Sequence, residues 1–161
     1  MTNRPDSGDR HYPGKSVTSY DPDNFRCSQA VLLAFSEQLG INREMALKIA
    51  TGFGAGMGGL SETCGAITGA VMAISLKFGQ MNSEDQKAKE ITYYHVQECI
   101  DQFKERNGTI MCKELIGIDL TAPDGRRRFR DEKIKDKLCP KFVEDAKEIL
   151  SGLFQTWDEN P

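Results

Sequence analysis

The chain has 161 residues, five cysteines, a net charge of −3, and 39% hydrophobic against 28% charged residues. That length suits one domain with a sizeable core, and the slightly acidic balance leaves no electrostatic footprint for nucleic acid. The most apolar run, 66–76, contains Thr68 and Ser75 and stops at Lys77, too short for a membrane span.

The first 24 residues lack an apolar stretch, so no signal peptide is expected in them. The expected compartment is therefore the cytoplasm, where disulfides are not normally structural. Residues 1–23, rich in Asp, Ser, Pro and Gly, read as a flexible arm, and residues 24–161 as a single helical domain.

A first helix is expected over 25–39. Ala30, Val31, Ala34, Phe35 and Leu39 form its stripe, Asn24 its N-cap and Gly40 its end. A second spans 42–51, with Met45, Ala46 and Ile49 inward. Residues 52–59, GFGAGMGG, follow. The glycines there, Gly56, Gly58 and Gly59 among them, suit a tight connection, a nest of N–H groups for an anion, or close approach of backbone to a metal or sulfur. A nucleotide loop is disfavoured, because no Walker lysine is present and a helix, not a strand, precedes the run.

The third helix, 64–78, is apolar or small nearly all round and is expected to be central. Gly65 and Gly69 share one of its faces and would let a neighbour pack closely. A fourth helix runs over 83–107, opened by a Ser83–Gln86 capping box, with Ile91, Tyr94, Val96, Cys99, Ile100 and Phe103 as its apolar positions. A short turn at 112–116 ends at Gly117. Residues 120–137 read as a charged, solvated loop that includes Arg126, Arg127, Arg128 and Arg130. The last helix starts at Cys139–Pro140, with proline at its first position, and carries Phe142, Ala146, Ile149, Leu150 and Leu153 inward. The fold class is all-α, about five helices around the 64–78 helix.

On these boundaries Cys27, Cys64, Cys112 and Cys139 all fall at helix N-termini, and only Cys99 is mid-helix. Unpaired N–H groups and the helix dipole favour a thiolate there, so Cys64 is expected to titrate below an ordinary thiol and Cys99 to stay protonated. No pair has CxxC spacing, which excludes short zinc knuckles but not a site assembled from separate helix ends. His95 precedes Cys99 by one turn, as a surface or hydrogen-bonded core histidine or, less simply, a metal partner. Glu62 is a capping carboxylate or a proton acceptor beside Cys64. With only His11 and His95 present, no Ser-His-Asp arrangement arises.

Cys64-Gly65-Ala66-Ile67-Thr68-Gly69 fits the pattern CGAxxG. With Cys27 before it and Cys112 and Cys139 after it, the chain resembles the redox-active family named C_GCAxxG_C_C for its cysteines. The glycine run and Asn24-Phe25-Arg26-Cys27-Ser28-Gln29-Ala30 are similar to that family as well. The resemblance implies function at Cys27, Cys64, Cys112 and Cys139, with Gly65, Ala66 and Gly69 in support, and does not extend to Cys99. It implies a redox partner or a transporter-associated one, since such genes often stand beside transporter genes. The favoured reading is dithiol/disulfide chemistry with Cys64 attacking. The alternatives are a metal or iron–sulfur site with the same four cysteines as ligands, and a structural helical homo-oligomer in which they pack. The cofactor is left open between none and a metal or cluster.

Overall fold

The structure, a computed structural model, describes residues 25–159. The expected arm at 1–23 and the cap at Asn24 lie outside those residues. Seven helices form the described chain, and no strand occurs among them. They are α1 (Cys27–Phe35), α2 (Arg43–Thr51), α3 (Gly65–Phe78), α4 (Gln86–Asn107), α5 (Cys112–Ile116), α6 (Gly125–Asp131) and α7 (Ile134–Glu159). The fold is all-α, with more helices than the five expected.

The centre is a pair of helices. α3 buries Ala66, Ile67, Ala70, Ala73 and Ile74. α1 buries Cys27, Ala30, Val31, Leu32, Leu33 and Phe35, most of its circumference. The two approach closely because Gly65 and Gly69 lack side chains. A Cβ on Gly69 would stand 2.7 Å from the Ser28 carbonyl oxygen and 2.9 Å from Val31 Cβ. α4 and α7 close the other sides, contributing Cys99, Phe103, Phe142, Val143, Ala146, Leu150 and Phe154. Each Val, Leu, Ile or Phe side chain so buried stabilises the fold by about 1.5–3 kcal/mol before chain entropy is counted, and each alanine by less.

Local signals explain most boundaries. Arg26 precedes α1, and its N–H donates to the Gln29 side chain at 3.0 Å. Asn42 caps α2 by accepting from the Met45 N–H at 2.8 Å. The cap of α4 is Asp85, which accepts from Ala88 N–H, and not Ser83; Gln86 instead donates to the Ser83 carbonyl. Gly108 and Gly117 end α4 and α5 in the left-handed region.

Several expectations are overturned. α1 stops at Phe35 and continues to Gly40 as turns. Met45 and Ile49 of α2 are exposed, while Ala46 and Ala50 face the core. Ile49 instead borders an apolar groove of about 620 Å³ shared with Phe53, Val71, Leu76 and Ile100. Tyr94 is exposed. The basic run is helical: it is α6, held by Arg127–Asp124 and Arg128–Glu132 ion pairs. α7 begins at Ile134, so Pro140 lies inside it. Proline has no N–H for the Asp136 carbonyl, so the helix runs through this position without that bond.

The glycine run forms one turn, Gly54–Met57, that winds left-handed. Ala55, Gly56, Met57 and Gly58 have φ of 53°, 69°, 65° and 66°. An L side chain in that region costs about 1–2 kcal/mol, borne here by Ala55 and Met57. The N–H groups of Gly59, Ser61 and Glu62 donate to the carbonyls of Gly54, Ala55 and Gly56. They are therefore not free to cradle an anion. Gly56 is needed for space as well as conformation, because its Cβ would stand 2.6 Å from the Glu62 nitrogen.

Candidate functional site

Four segments meet at one end of α3. Cys27 is the first residue of α1, Cys64 the residue before α3, and Cys112 the first residue of α5. Cys139 is in the second turn of α7, one residue before Pro140, not at a helix start as expected. The structure brings all four around one cavity of about 20 Å³, enough for about one water-sized occupant. Cys99 does not line it.

The framework holding these sulfurs is largely backbone. The Cys64 N–H donates to the Ile110 carbonyl at 2.8 Å, and the Cys112 N–H to the Glu62 carbonyl at 2.7 Å. These bonds flank an isolated antiparallel bridge between Thr63 and Met111. Glu62 thus acts through its carbonyl, and its side chain is exposed. Gly65 makes room for Cys27: a Cβ there would stand 3.1 Å from Cys27 Cβ and 3.0 Å from the Ser28 nitrogen. Gly69 sits one turn on in the same α1–α3 seam, and Ala66, next to Gly65, is fully buried. The buried Ser28 hydroxyl donates to the Ala50 carbonyl at 2.8 Å, tying α1 to α2. The buried Ser61 hydroxyl oxygen accepts from Leu120 N–H at 2.7 Å, fixing the segment that closes the cavity floor. Gly58 and Gly59 belong to the left-handed turn and do not line the cavity.

All five cysteines are buried free thiols. Hydrogen bonding toward Cys139, then burial and the charge of that neighbouring sulfur, raise Cys27 well above the ordinary range. Burial pushes Cys64 from 9.0 up to about 12, a charge on Cys27 adds to the rise, and the N–H groups of Ala66 and Ile67 oppose it. Burial likewise raises Cys112 to about 12, with Cys64 and Cys27 contributing. Cys99 reaches about 12 by burial alone.

The expectation of a depressed Cys64 therefore fails. A helix end favours an anion by about 0.3–1 kcal/mol, at most about 2. A rise to about 12 corresponds to roughly 4 kcal/mol in the other direction. Desolvation exceeds the dipole.

Sequence reasoning missed the rest of the lining: Arg26, Ala55, Ile116, Leu120, Phe129, Lys135 and Phe142. Lys135 was legible in principle, since it precedes Cys139 by four residues and shares its face once α7 starts early. His95 is neither on the surface nor hydrogen-bonded. It is buried, both ring nitrogens lack a partner, and it stacks on Phe78 at 4.5 Å with Trp157 at 5.3 Å. Burial lowers its pKa, with Glu98 opposing. Among the described residues no three or more His, Cys, Asp or Glu side chains are arranged to hold a metal ion. No described helix is long and apolar enough to cross a membrane.

A helical bundle with four cysteines ringing one small cavity defines a class of buried-thiol protein. The pattern that places them is that of a known family, described as "Putative redox-active protein (C_GCAxxG_C_C)", which matches residues 25–153. The chain belongs to that family, and a general redox role follows from it. No curated protein and no solved structure matches the chain.

Proposed function

We propose that the protein exchanges electrons as a dithiol/disulfide couple, with Cys27 and Cys139 as the pair that cycles. The observation that carries this reading is that Cys27 and Cys139 line one small cavity, together with Cys64 and Cys112, and that Cys139 is the chief influence on the Cys27 proton. Thiols gathered around a cavity of this size need only small movements to form an S–S bond.

In the oxidising direction Cys27 reacts through its small thiolate fraction, which the Lys135 charge favours against burial, and attacks one sulfur of an external disulfide. A mixed disulfide forms and one external thiol leaves. Cys139 then loses its proton and attacks the Cys27 sulfur, and the second external thiol leaves. Two protein thiols and one external disulfide become one protein disulfide and two external thiols. Burial supports this couple over thiolate chemistry alone, because dithiol and disulfide are both uncharged. Cys64, expected from sequence to attack first, is the neighbour of Cys27 and a secondary thiol in this scheme.

The test is thiol counting in denatured samples before and after treatment with an external disulfide, followed by peptide mapping. Loss of two of the five thiols, recovered as a Cys27–Cys139 crosslink, is the expected result. Retention of all five thiols would refute the reading. So would stoichiometric iron or zinc in protein purified without oxygen, which would favour the four-thiolate ligand site instead.

A further inference from the structure

We infer that the external substrate of the cysteine cavity is a small anionic disulfide, received by a cationic mouth built from Arg26 and Lys135. The inference rests on the dithiol reading and names its substrate class.

The cavity lining contains two charged side chains, Arg26 and Lys135, and both are cations; the remainder is cysteine, glycine and apolar groups. This local sign runs against the protein as a whole, whose net charge is −3. Among the described residues neither cation takes part in an ion pair, whereas Arg127, Arg128 and Arg130 of the adjacent α6 are each paired with a carboxylate. The acids nearest Lys135 in sequence are thus occupied or turned away: Glu132 holds Arg128, Asp131 holds Arg130, and Asp136 is exposed and does not line the cavity.

Lys135 is only partly exposed, and its charge reaches Cys27, the thiol assigned to attack. A cation there favours the Cys27 thiolate and also draws negative groups to the same point. Size sets the other limit. A cavity of about 20 Å³ admits a single sulfur, not a peptide side chain with its backbone. The substrate therefore presents its disulfide at the mouth, its carboxylates against Arg26 and Lys135. The balance is that already given: each exchange forms one S–S bond, breaks one, and releases an anionic thiol.

Three external disulfides of different charge test this on the reduced full-length protein: dithiobis-nitrobenzoate, a dianion; dithiodipyridine, neutral; and cystamine, a dication. Each rate is divided by that of the same reagent with free mercaptoethanol, which removes intrinsic reactivity. The expected ratio of dianion to dication is about tenfold or more at low salt, falling as salt screens the mouth. Lys135→Glu is expected to bring the ratio below one, and Lys135→Gln to an intermediate value. Because the ratio is taken within each variant, a change in thiolate fraction cancels. A wild-type ratio near one at low salt, or one untouched by both Lys135 variants, overturns the inference. Dithiodipyridine separates the two claims: if it yields no Cys27–Cys139 crosslink the dithiol reading fails, and the charge order of first-thiol modification is still measured.

Discussion

Cys27 and Cys139 line the same small cavity although they belong to the first and last helices of the described chain. Cys27→Ser or Cys139→Ser is accordingly expected to abolish the two-thiol loss on oxidation. Cys99→Ala should leave it intact and cost roughly 1 kcal/mol, because Cys99 is fully buried on α4 but outside the cavity. Thiol counts and urea melts of the three variants check both halves.

The midpoint potential should fall by about 59 mV per pH unit, the slope of a two-electron, two-proton couple. Ordinary thiols flatten that slope near pH 9.0, where the reduced form begins to ionise. Here Cys27 is raised well above that value and keeps its proton, so the slope should stay at or above about 30 mV per pH unit through it and not fall to zero. A redox titration between pH 6 and pH 10 reads the result. A slope falling well below about 30 mV per pH unit by pH 10 would mean that Cys27 is not held protonated.

The same burial makes the reduced protein alkali-sensitive. Cys64, Cys99 and Cys112 have folded values of about 12 against 9.0 as ordinary thiols. Folded values raised above the unfolded ones give stability that is full below about 9 and is lost as pH rises toward 12. Urea unfolding at successive pH values should show the loss beginning near 9. It should be shallower in the Cys27–Cys139-oxidised form, which has removed Cys27 from the set.

Gly69→Ala should destabilise the fold by about 1–3 kcal/mol, since its Cβ would meet backbone and Val31 in the α1–α3 seam. Gly152→Ala is the control. Nothing lies within 4 Å of a Cβ there, the residue is inside α7, and the change should stabilise by about 0.5–1 kcal/mol. Thermal melts of the pair distinguish a packing constraint from general intolerance of substitution.

His95 contributes an acid-side dependence. Its pKa is lowered by burial, so its stability contribution is present above about 6.5 and is lost as pH falls through that value. His95→Leu should remove that loss and, by eliminating two unpartnered nitrogens, raise stability at neutral pH by about 1 kcal/mol. Chemical denaturation at pH 5 and pH 7 measures both effects.

The helices that sequence resolved best are α3, α4 and α5, where periodic apolar residues end at Gly79, Gly108 and Gly117. What it lost is physically specific. Residues 120–137 carry few apolar side chains, Phe129 and Ile134 among them, so α6 and the first turn of α7 rest on ion pairs and tertiary packing that no stripe announces. Pro140 is equally at home at a helix start, and it hid the turn before it. Ala55 and Met57 have no propensity for the left-handed region, so the handedness of that turn is imposed by its surroundings. The four cysteine positions were legible; their protonation was not, because the dipole is a local property and desolvation is a global one.

Pro140 also sets the clock of the site. The turn bearing Lys135 and Cys139 lacks the backbone bond from position 140 to the Asp136 carbonyl, while Cys64 and Cys112 are anchored by bonds to Ile110 and Glu62. A wall that lacks one such bond is expected to open at lower cost than one that keeps it, with reagents reaching the sulfurs during those excursions. At high reagent concentration the rate of Cys139 modification should reach a plateau equal to the opening frequency, independent of how much reagent is added.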